Sequence, residues 1–575
     1  MNSFNPIAFA LAGSFLLFAP GAALAQQSGD FHYLSDGSVI TITGYAGAGG
    51  DVVIPATIDG LPVTSLVGAF NGCTTLTSVD IPGSVTNIGD AAFGGCRSLA
   101  TVNLPSSVSS IGYYAFGDCY SLTNVSIPES VASLGKQAFE SCYGLASIVI
   151  PGNIPTIGDN TFAWCVSLTN AVVGNGVTSI GDGAFYDCRE LAFVAIPDGV
   201  KYIGNGAFHS CSSLAAFSIP SHATSIGSDA FGYCSYLTSL TIPGSVTNIG
   251  DSAFMWCQSL QAITVDESNA FYSSADGILF DRAQTALLQC PGGKMGNVII
   301  AAKGLTNIVD DAFYGCLRLT DVTLPDGLLS IGNWAFTSCV QLTNVVIPGS
   351  VLQIGAVAFS WCTNLTGITV DPTNACYSSV KGILLNKSRT TLIQWPGGKT
   401  ESNLIPDSVT CIADSAFWGC LNLTRLAIPG SVTNIGNWAF ENCVGLTNII
   451  ISDSVTAIGA GAFFNCVILA SVTIPSNVTC IESMAFDNCM SLTNVTIPKK
   501  VTRIGSLAFG GCSLASVEIP DSVTSIGGDA FAGCLRLTTV TIPAGVTNIG
   551  DGAFEGCTSL TAVYFKGDAP ILGSY

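Results

Sequence analysis

The side chains best able to do chemistry in this chain are its 23 cysteines and three histidines, His32, His209 and His222. Nineteen of the cysteines recur at one place in a repeat, and the others are Cys290, Cys376, Cys411 and Cys480. No Cys-x-x-Cys pair occurs and the histidines have no ligand spacing, so the pattern predicts no metal centre. Cysteines repeated once per turn of a stack have parallel Cβ vectors, which strains a disulfide. Free thiols packed as small hydrophobes are the expected state. A file of Asp90, Asp159, Asp182, Asn205, Asp251, Asn333, Asn437 and Asp551 could suggest calcium, but Tyr113, Lys136, Ala356 and Ala460 interrupt it. A turn role, with the side chain bonding nearby backbone N–H groups, accounts for it. Hydrolysis would need a Ser-His-Asp set or paired acids in a pocket, and neither is visible. The sequence therefore reads as non-enzymatic, with no cofactor.

A second class of side chain concerns binding. Tyr113, Tyr114, Tyr120, Tyr143, Trp164, Tyr186, Tyr233, Tyr236 and Trp256 all lie close to the same repeated Ala-Phe pair but outside the apolar pattern. Aromatic rings left near solvent anchor protein partners or stack on sugars. Tyr143, Trp164, Tyr186, Tyr233 and Trp256 are the candidate ligand-binding residues. The competing interpretation is that such rings lean over the next turn and cover it.

The element that must position these groups is a unit of 23 residues. Residues 81–103 read IPGSVTNIGDAAFGGCRSLATVN, and the pattern restarts at Leu104 as LPSSVSSIGYYAFGDCYSLTNVS. The signature Ala-Phe-x-x-Cys or a close variant places phenylalanine at 70, 93, 116, 139, 162, 185, 208, 231, 254, 313, 336, 359, 417, 440, 463, 486, 509, 531 and 554. A fixed period of this length marks a solenoid, whose units bury their apolar faces only against neighbours. Counting from the Ile of Ile-Pro, apolar residues recur at positions 1, 5, 8, 12, 13, 16, 19 and 22. Leu-Thr-x-Val-x-Ile, from position 19 into the next unit, predicts a six-residue strand that proline at position 2 ends. Val-Thr-x-Ile-Gly predicts a second extended run, and Ala-Phe-x-x-Cys a single helical or 3-10 turn.

The expected fold is a mainly β solenoid of the leucine-rich repeat type, with parallel strands, about 19 regular 23-residue coils and two longer ones. The longer coils lie near 265–300 and 370–404. Val265–Lys294 matches Val370–Lys399 at a constant offset of 105, and both lack the Ala-Phe-x-x-Cys turn. Gly277–Phe280 and Leu287–Gln289 predict a hairpin, with Pro-Gly-Gly returning the chain to the stack. Residues 26–57 alternate between glycine-rich turns and predict N-terminal cap strands, ahead of a solenoid over 58–575. Residues 1–25 carry an apolar segment, Ile7 to Leu24, closing on Ala-Leu-Ala before Gln26, the pattern of a secretory signal. After it, no apolar run approaches the roughly 18 residues that span a bilayer. Hydrophobic residues make up 48% and charged residues 10%, and the net charge is -20. That balance argues against nucleic acid or an anionic membrane as partner, since both are bound through clustered Lys and Arg.

The motif Ile-Pro-x-x-Val-Thr-x-Ile-Gly-x-x-Ala-Phe-x-x-Cys-x-x-Leu-Thr-x-Val resembles the BspA-like, or treponemal-class, leucine-rich repeat family over roughly nine tenths of the chain. The resemblance implies a curved solenoid, exported or displayed by a bacterium or related microbe, with adhesion to proteins and surfaces as the known role. The family supplies no catalytic residues. The expected function is a secreted or cell-surface, non-catalytic binding or adhesion module for extracellular protein or glycan. The alternative is a structural or surface-layer component that associates laterally, and the sequence leaves the oligomeric state open.

Overall fold

The Val and Ile residues at positions 22 and 1 carry inward side chains at the two-residue period of a strand. In the computed structural model, which describes residues 26–400, 405–568 and 570–572, they form parallel strands stacked coil upon coil. Residues 1–25, read above as a secretory signal, lie outside the described residues. The chain divides into two units, Met1–Val177 and Thr178–Tyr575, and both are built from the same coil. In the first unit, Ser147–Ile150 pairs with Asn170–Val173 in parallel, Ser147 opposite Asn170 and Ile150 opposite Val173. These strands are shorter than the six residues expected, from two in Asn124–Val125 to five in Leu76–Asp80. The reason is that residue 19 still belongs to the preceding turn: Leu99 N bonds back to Cys96 O at 3.0 Å. A second ladder joins two-residue strands at positions 7 and 8, such as Asn87–Ile88 beside Ser110–Ile111.

The third side of the coil departs from the expected helical or 3-10 turn. Among the described residues the Ala-Phe-x-x-Cys segment is a run of turns with alternating hydrogen bonds. Ala92, Gly94 and Cys96 donate backward to Gly89, Ala91 and Phe93 at 3.1–3.2 Å, whereas Ala91, Phe93 and Gly95 donate to Tyr113, Ala115 and Gly117 of the next coil at 2.7–2.8 Å. A helical turn would direct every N–H along its own chain. Here every second N–H serves the neighbouring coil, which requires residues at positions 11 and 15 to turn left-handed, as Ala91 (φ 49°) and Gly95 (φ 72°) do.

All eight apolar positions are buried in the regular coil: Ile81, Val85, Ile88, Ala92, Phe93, Cys96, Leu99 and Val102. The phenylalanines stack ring on ring, at 5.2 Å from Phe70 to Phe93 and again from Phe93 to Phe116. The position-16 thiols form a ladder. Most donate to the carbonyl of the phenylalanine in the coil before, as Cys96 Sγ does to Phe70 O at 3.1 Å and Cys119 Sγ to Phe93 O at 3.2 Å, while Cys316 and Cys420, which follow the long coils, point to Pro291 O and Trp395 O at 3.7 and 3.8 Å. A cysteine therefore fills an apolar slot and also satisfies a carbonyl, which alanine or valine would leave with one donor fewer. All 23 cysteines are free thiols, and Cys73, Cys376, Cys411 and Cys480 are the half-buried ones. Burial pushes the Cys96 thiol up to about 12, and it raises Cys119 as well. Only a thiolate attacks a disulfide reagent, so the folded chain should react at neutral pH at Cys73, Cys376 and Cys411, and far more slowly at Cys480, whose thiol burial pushes up to about 11. In denaturant without reductant the titration should approach 23; a count near one would mean bridged cysteines and no thiol ladder.

At the N-terminal end, Gln26–Ser28, Phe31–Ser35 and Ile40–Tyr45 pair antiparallel, and Ile40–Tyr45 then runs parallel to Leu61–Leu66. Tyr45 lies 5.0 Å from Phe70, so a cap ring starts the phenylalanine file.

The two long coils share one design within the second unit. Tyr272–Ala275, Ile278–Asp281 and Ala286–Gln289 form an antiparallel meander whose last strand runs parallel to Asn307–Ile308. The predicted hairpin is present, with one strand more than expected. Tyr377–Val380, Ile383–Asn386 and Thr391–Gln394 repeat it beside Cys411–Ile412. A fully buried asparagine anchors each coil. Asn269 Nδ2 donates to Pro243 O and Val246 O at 2.8 and 2.9 Å, and its Oδ1 accepts from Phe271 N and Tyr272 N at 2.8 Å. At the place of the missing phenylalanine the coils differ. Cys290 N and Trp395 N make the bond of a position-13 residue, to Ala312 O and Ala416 O. Trp395 continues the ring file at 5.0 Å from Phe417, while Cys290 offers no ring.

Candidate functional site

Position 15 is where the backbone of the coil is most constrained. In all nineteen signature coils the residue there has positive φ, from Gly72 to Gly556. Fifteen of those residues are Gly, Asp, Ser or Asn, the small or short polar types that tolerate the left-handed region. The remaining four are Trp164, Tyr233, Trp256 and Trp361, with φ of 64°, 61°, 59° and 60°. A large side chain in that conformation costs roughly 1–2 kcal/mol that glycine would not. The repeat alone does not call for an aromatic there.

The five candidates fall into both units, and each group has its own surroundings. In the first unit Tyr143 is 39% exposed and stacks on Tyr120, centroids 4.6 Å apart. The Arg97 guanidinium lies 5.2 Å over the other side of Tyr120, a cation–π contact. Trp164 is also 39% exposed. In the second unit Tyr186, half-buried, stacks on His209 at 4.8 Å and 3°, and His209 meets Tyr233 at 5.2 Å. Tyr233 is 41% exposed and stacks on Trp256 at 5.7 Å. Sequence inspection missed His209 as a member of this row; its place one residue after Phe208, matching Tyr186 after Phe185, was the available signal. Burial holds the His209 imidazole below its ordinary range, opposed by Asp187, so at neutral pH the row is uncharged.

Trp256 has a packing role as well. Its ring reaches across the long coil, where no Ala-Phe turn intervenes, to the next signature coil: a Cβ built on Gly315 would stand 3.0 Å from it, and Tyr314 meets it edge-on at 5.6 Å. Trp361 does the same over Gly419, 2.7 Å from a built Cβ. The covering role foreseen as the competing interpretation therefore applies to Trp256, and to Trp361, which was not among the candidates.

The position-10 file bonds backbone N–H groups as expected, but in the next coil. Asp90 Oδ1 accepts from Tyr113 N at 2.8 Å, Asn333 Oδ1 from Ala356 N at 2.8 Å and Asp414 Oδ1 from Asn437 N at 2.7 Å. Among the described residues no group of three His, Cys, Asp or Glu side chains is arranged to hold a metal ion. Glu140 and Glu441 are the nearest approach to tuned acids: burial raises both to about 7, with Asp118 adding to the effect at Glu140, where Gln137 donates at 2.7 Å.

Residues 67–192, 155–275, 293–386, 397–512 and 481–575 match the family model of the BspA type leucine rich repeat region. The chain belongs to that family. Its solved structural neighbours include a leucine-rich repeat protein from Eubacterium ventriosum, 22% identical, covering 86% of this chain and 96% of that one at TM-score 0.39. A leucine-rich repeat protein from Bacteroides ovatus is 21% identical, covering 93% and 99% at TM-score 0.36. A leucine rich cell surface protein from Faecalibacterium prausnitzii is 23% identical, covering 96% and 97% at TM-score 0.28. No curated protein matches the chain. BspA-type repeats thus account for the fold of both units.

Proposed function

We propose that the chain is a secreted or cell-surface, non-catalytic binding module that adheres to an extracellular protein or glycan through its aromatic flank. The observation that carries this reading is the occupancy of position 15: rings stand at left-handed positions where fifteen coils use small or short polar residues. Trp256 and Trp361 have a packing reason to be there, whereas Tyr233 and Trp164 sit beside coils that keep their Ala-Phe turn. Partly exposed, rigid rings with two rotatable bonds offer contact area at low entropic cost, to apolar protein patches and to sugar faces alike. The apolar segment before Gln26 supports export.

The test is a triple variant, Tyr143→Ala, Trp164→Ala and Tyr233→Ala, compared with the parent on an array of glycans and matrix proteins. The variant should melt within a few degrees of the parent, since these rings are about 40% exposed. Its binding should fall by about tenfold or more. Undiminished binding on the array, or a parent that binds nothing there, overturns the proposal.

A further inference from the structure

In a regular coil the N–H groups at positions 11 and 13 reach carbonyls of the next coil, as Asp229 N does to Asp251 O and Phe231 N to Ala253 O, at 3.0 and 2.8 Å. After Asp251 the next coil is the long one, which has no Ala-Phe turn. The N–H groups of Ser252 and Phe254 meet no backbone carbonyl among the described residues. A cavity of about 470 Å³ stands there instead, between residues 249–254 on one wall and 307–311 on the other. The second long coil leaves the corresponding cavity, about 320 Å³, between residues 354–359 and Asp414. Each is the space of one absent storey of the turn ladder.

The two cavities differ in charge. Asp251, Asp310 and Asp311 line the first, where Ala356, Asp414 and Ser415 occupy the matching positions of the second. Asp229 stands beside Asp251 and Asp311; burial and those two carboxylates raise its pKa, and its Oδ1 is buried without a partner. Asp311 takes one hydrogen bond, from Ser252 Oγ at 3.0 Å. None of the four carboxylates belongs to an ion pair among the described residues. Gln289, only 5% exposed, also lines the cavity. Its Nε2 donates to Cys290 O and Ala312 O at 3.2 and 3.4 Å, and its Oε1 meets no donor among the described residues.

We propose that the first cavity receives an extended polypeptide segment of a partner protein, bearing a lysine or arginine side chain. The segment takes the place of the absent storey: a carbonyl of it accepts from Ser252 N, an N–H donates to Gln289 Oε1, and the cationic side chain pairs with Asp251 and Asp311. Added-strand recognition of this kind draws affinity from main-chain hydrogen bonds and specificity from one side-chain pocket. The proposal rests on the reading of the chain as a binding module but not on its aromatic flank, so the triple aromatic variant should retain this site.

The experiment is isothermal titration of the full chain with the capped tripeptide acetyl-Gly-Arg-Gly-amide and with its neutral citrulline counterpart. One saturable site is expected for the arginine peptide, about tenfold or more weaker with citrulline. The double variant Asp251→Ala/Asp311→Ser, which gives the first cavity the residues of the second, should lose that binding, and Asp251→Asn/Asp311→Asn should do so with side-chain shape kept. Both should melt no lower than the parent, because they remove carboxylates that repel each other. Equal affinity for the two peptides, binding retained in either variant, or no saturable binding by about 10 mM peptide overturns the proposal. If the aromatic triple variant loses array binding while the peptide result is negative, the binding-module reading stands and this site does not.

Discussion

Phe336→Ala lowers the stability of the chain by about 3–5 kcal/mol, the expected cost of a large cavity in a packed core. Phe336 is fully buried, with Phe313 at 4.6 Å on one face and Phe359 at 5.3 Å on the other. Removing its ring therefore opens space in three coils at once, and in a stack each coil is held mainly by its two neighbours. Phe554→Ala should cost clearly less. That ring is half-buried and stacks only on Phe531, at 5.4 Å. Denaturant melts of the two variants give the comparison. Equal losses would mean that the phenylalanine file does not carry the coupling between coils.

Asn374→Leu should be about as damaging, for a different reason. The asparagine is fully buried in the second long coil. Its Nδ2 donates to Pro348 O and Val351 O at 2.9 and 2.8 Å, and its Oδ1 accepts from Cys376 N and Tyr377 N at 2.9 and 2.7 Å. Leucine fits a similar volume but leaves Val351 O and two N–H groups without the side-chain partner, while Pro348 O keeps only Val351 N at 3.3 Å. At about 1–3 kcal/mol for each of the three unsatisfied groups, the loss should reach at least about 3 kcal/mol. Asn477, half-buried, donates to Asp453 O at 3.0 Å and accepts from the exposed Lys500 Nζ at 2.8 Å, and is the control: Asn477→Ala should change stability by less than about 1 kcal/mol. A melt of Asn374→Leu that overlays the parent would show that the long coil closes without this side chain.

The same asparagine shows the limit of a periodic reading. Asn269 and Asn374 match at the offset of 105 and were visible as part of a duplicated stretch, yet nothing in their neighbours along the chain says that they close a coil. Their carbonyl partners lie 23 and 26 residues upstream. Legible from the order of residues alone were the burial of positions 1, 5, 8, 12, 13, 16, 19 and 22, the parallel stacking and the hairpins of the long coils. The free-thiol character of the cysteine ladder was legible too. Each of these follows from the period, because a side chain that recurs every 23 residues meets its own copy in the next coil whatever the details of the turn.

Only the tertiary structure decided where the backbone N–H groups go. The Ala-Phe-x-x-Cys segment looked helical because its apolar spacing is short, but alternate N–H groups at positions 11, 13 and 15 cross to the next coil. That crossing makes position 15 left-handed in all nineteen coils. It also explains why Trp164 and Tyr233 stand out and why Trp256 doubles as a cover, and it turns the absence of one turn into a cavity at Ser252. A hydrogen bond between coils depends on the height and rotation of a neighbour two dozen residues away. Composition and spacing record which side chains are apolar, whereas the direction of an N–H is set only when two coils have come to rest against each other.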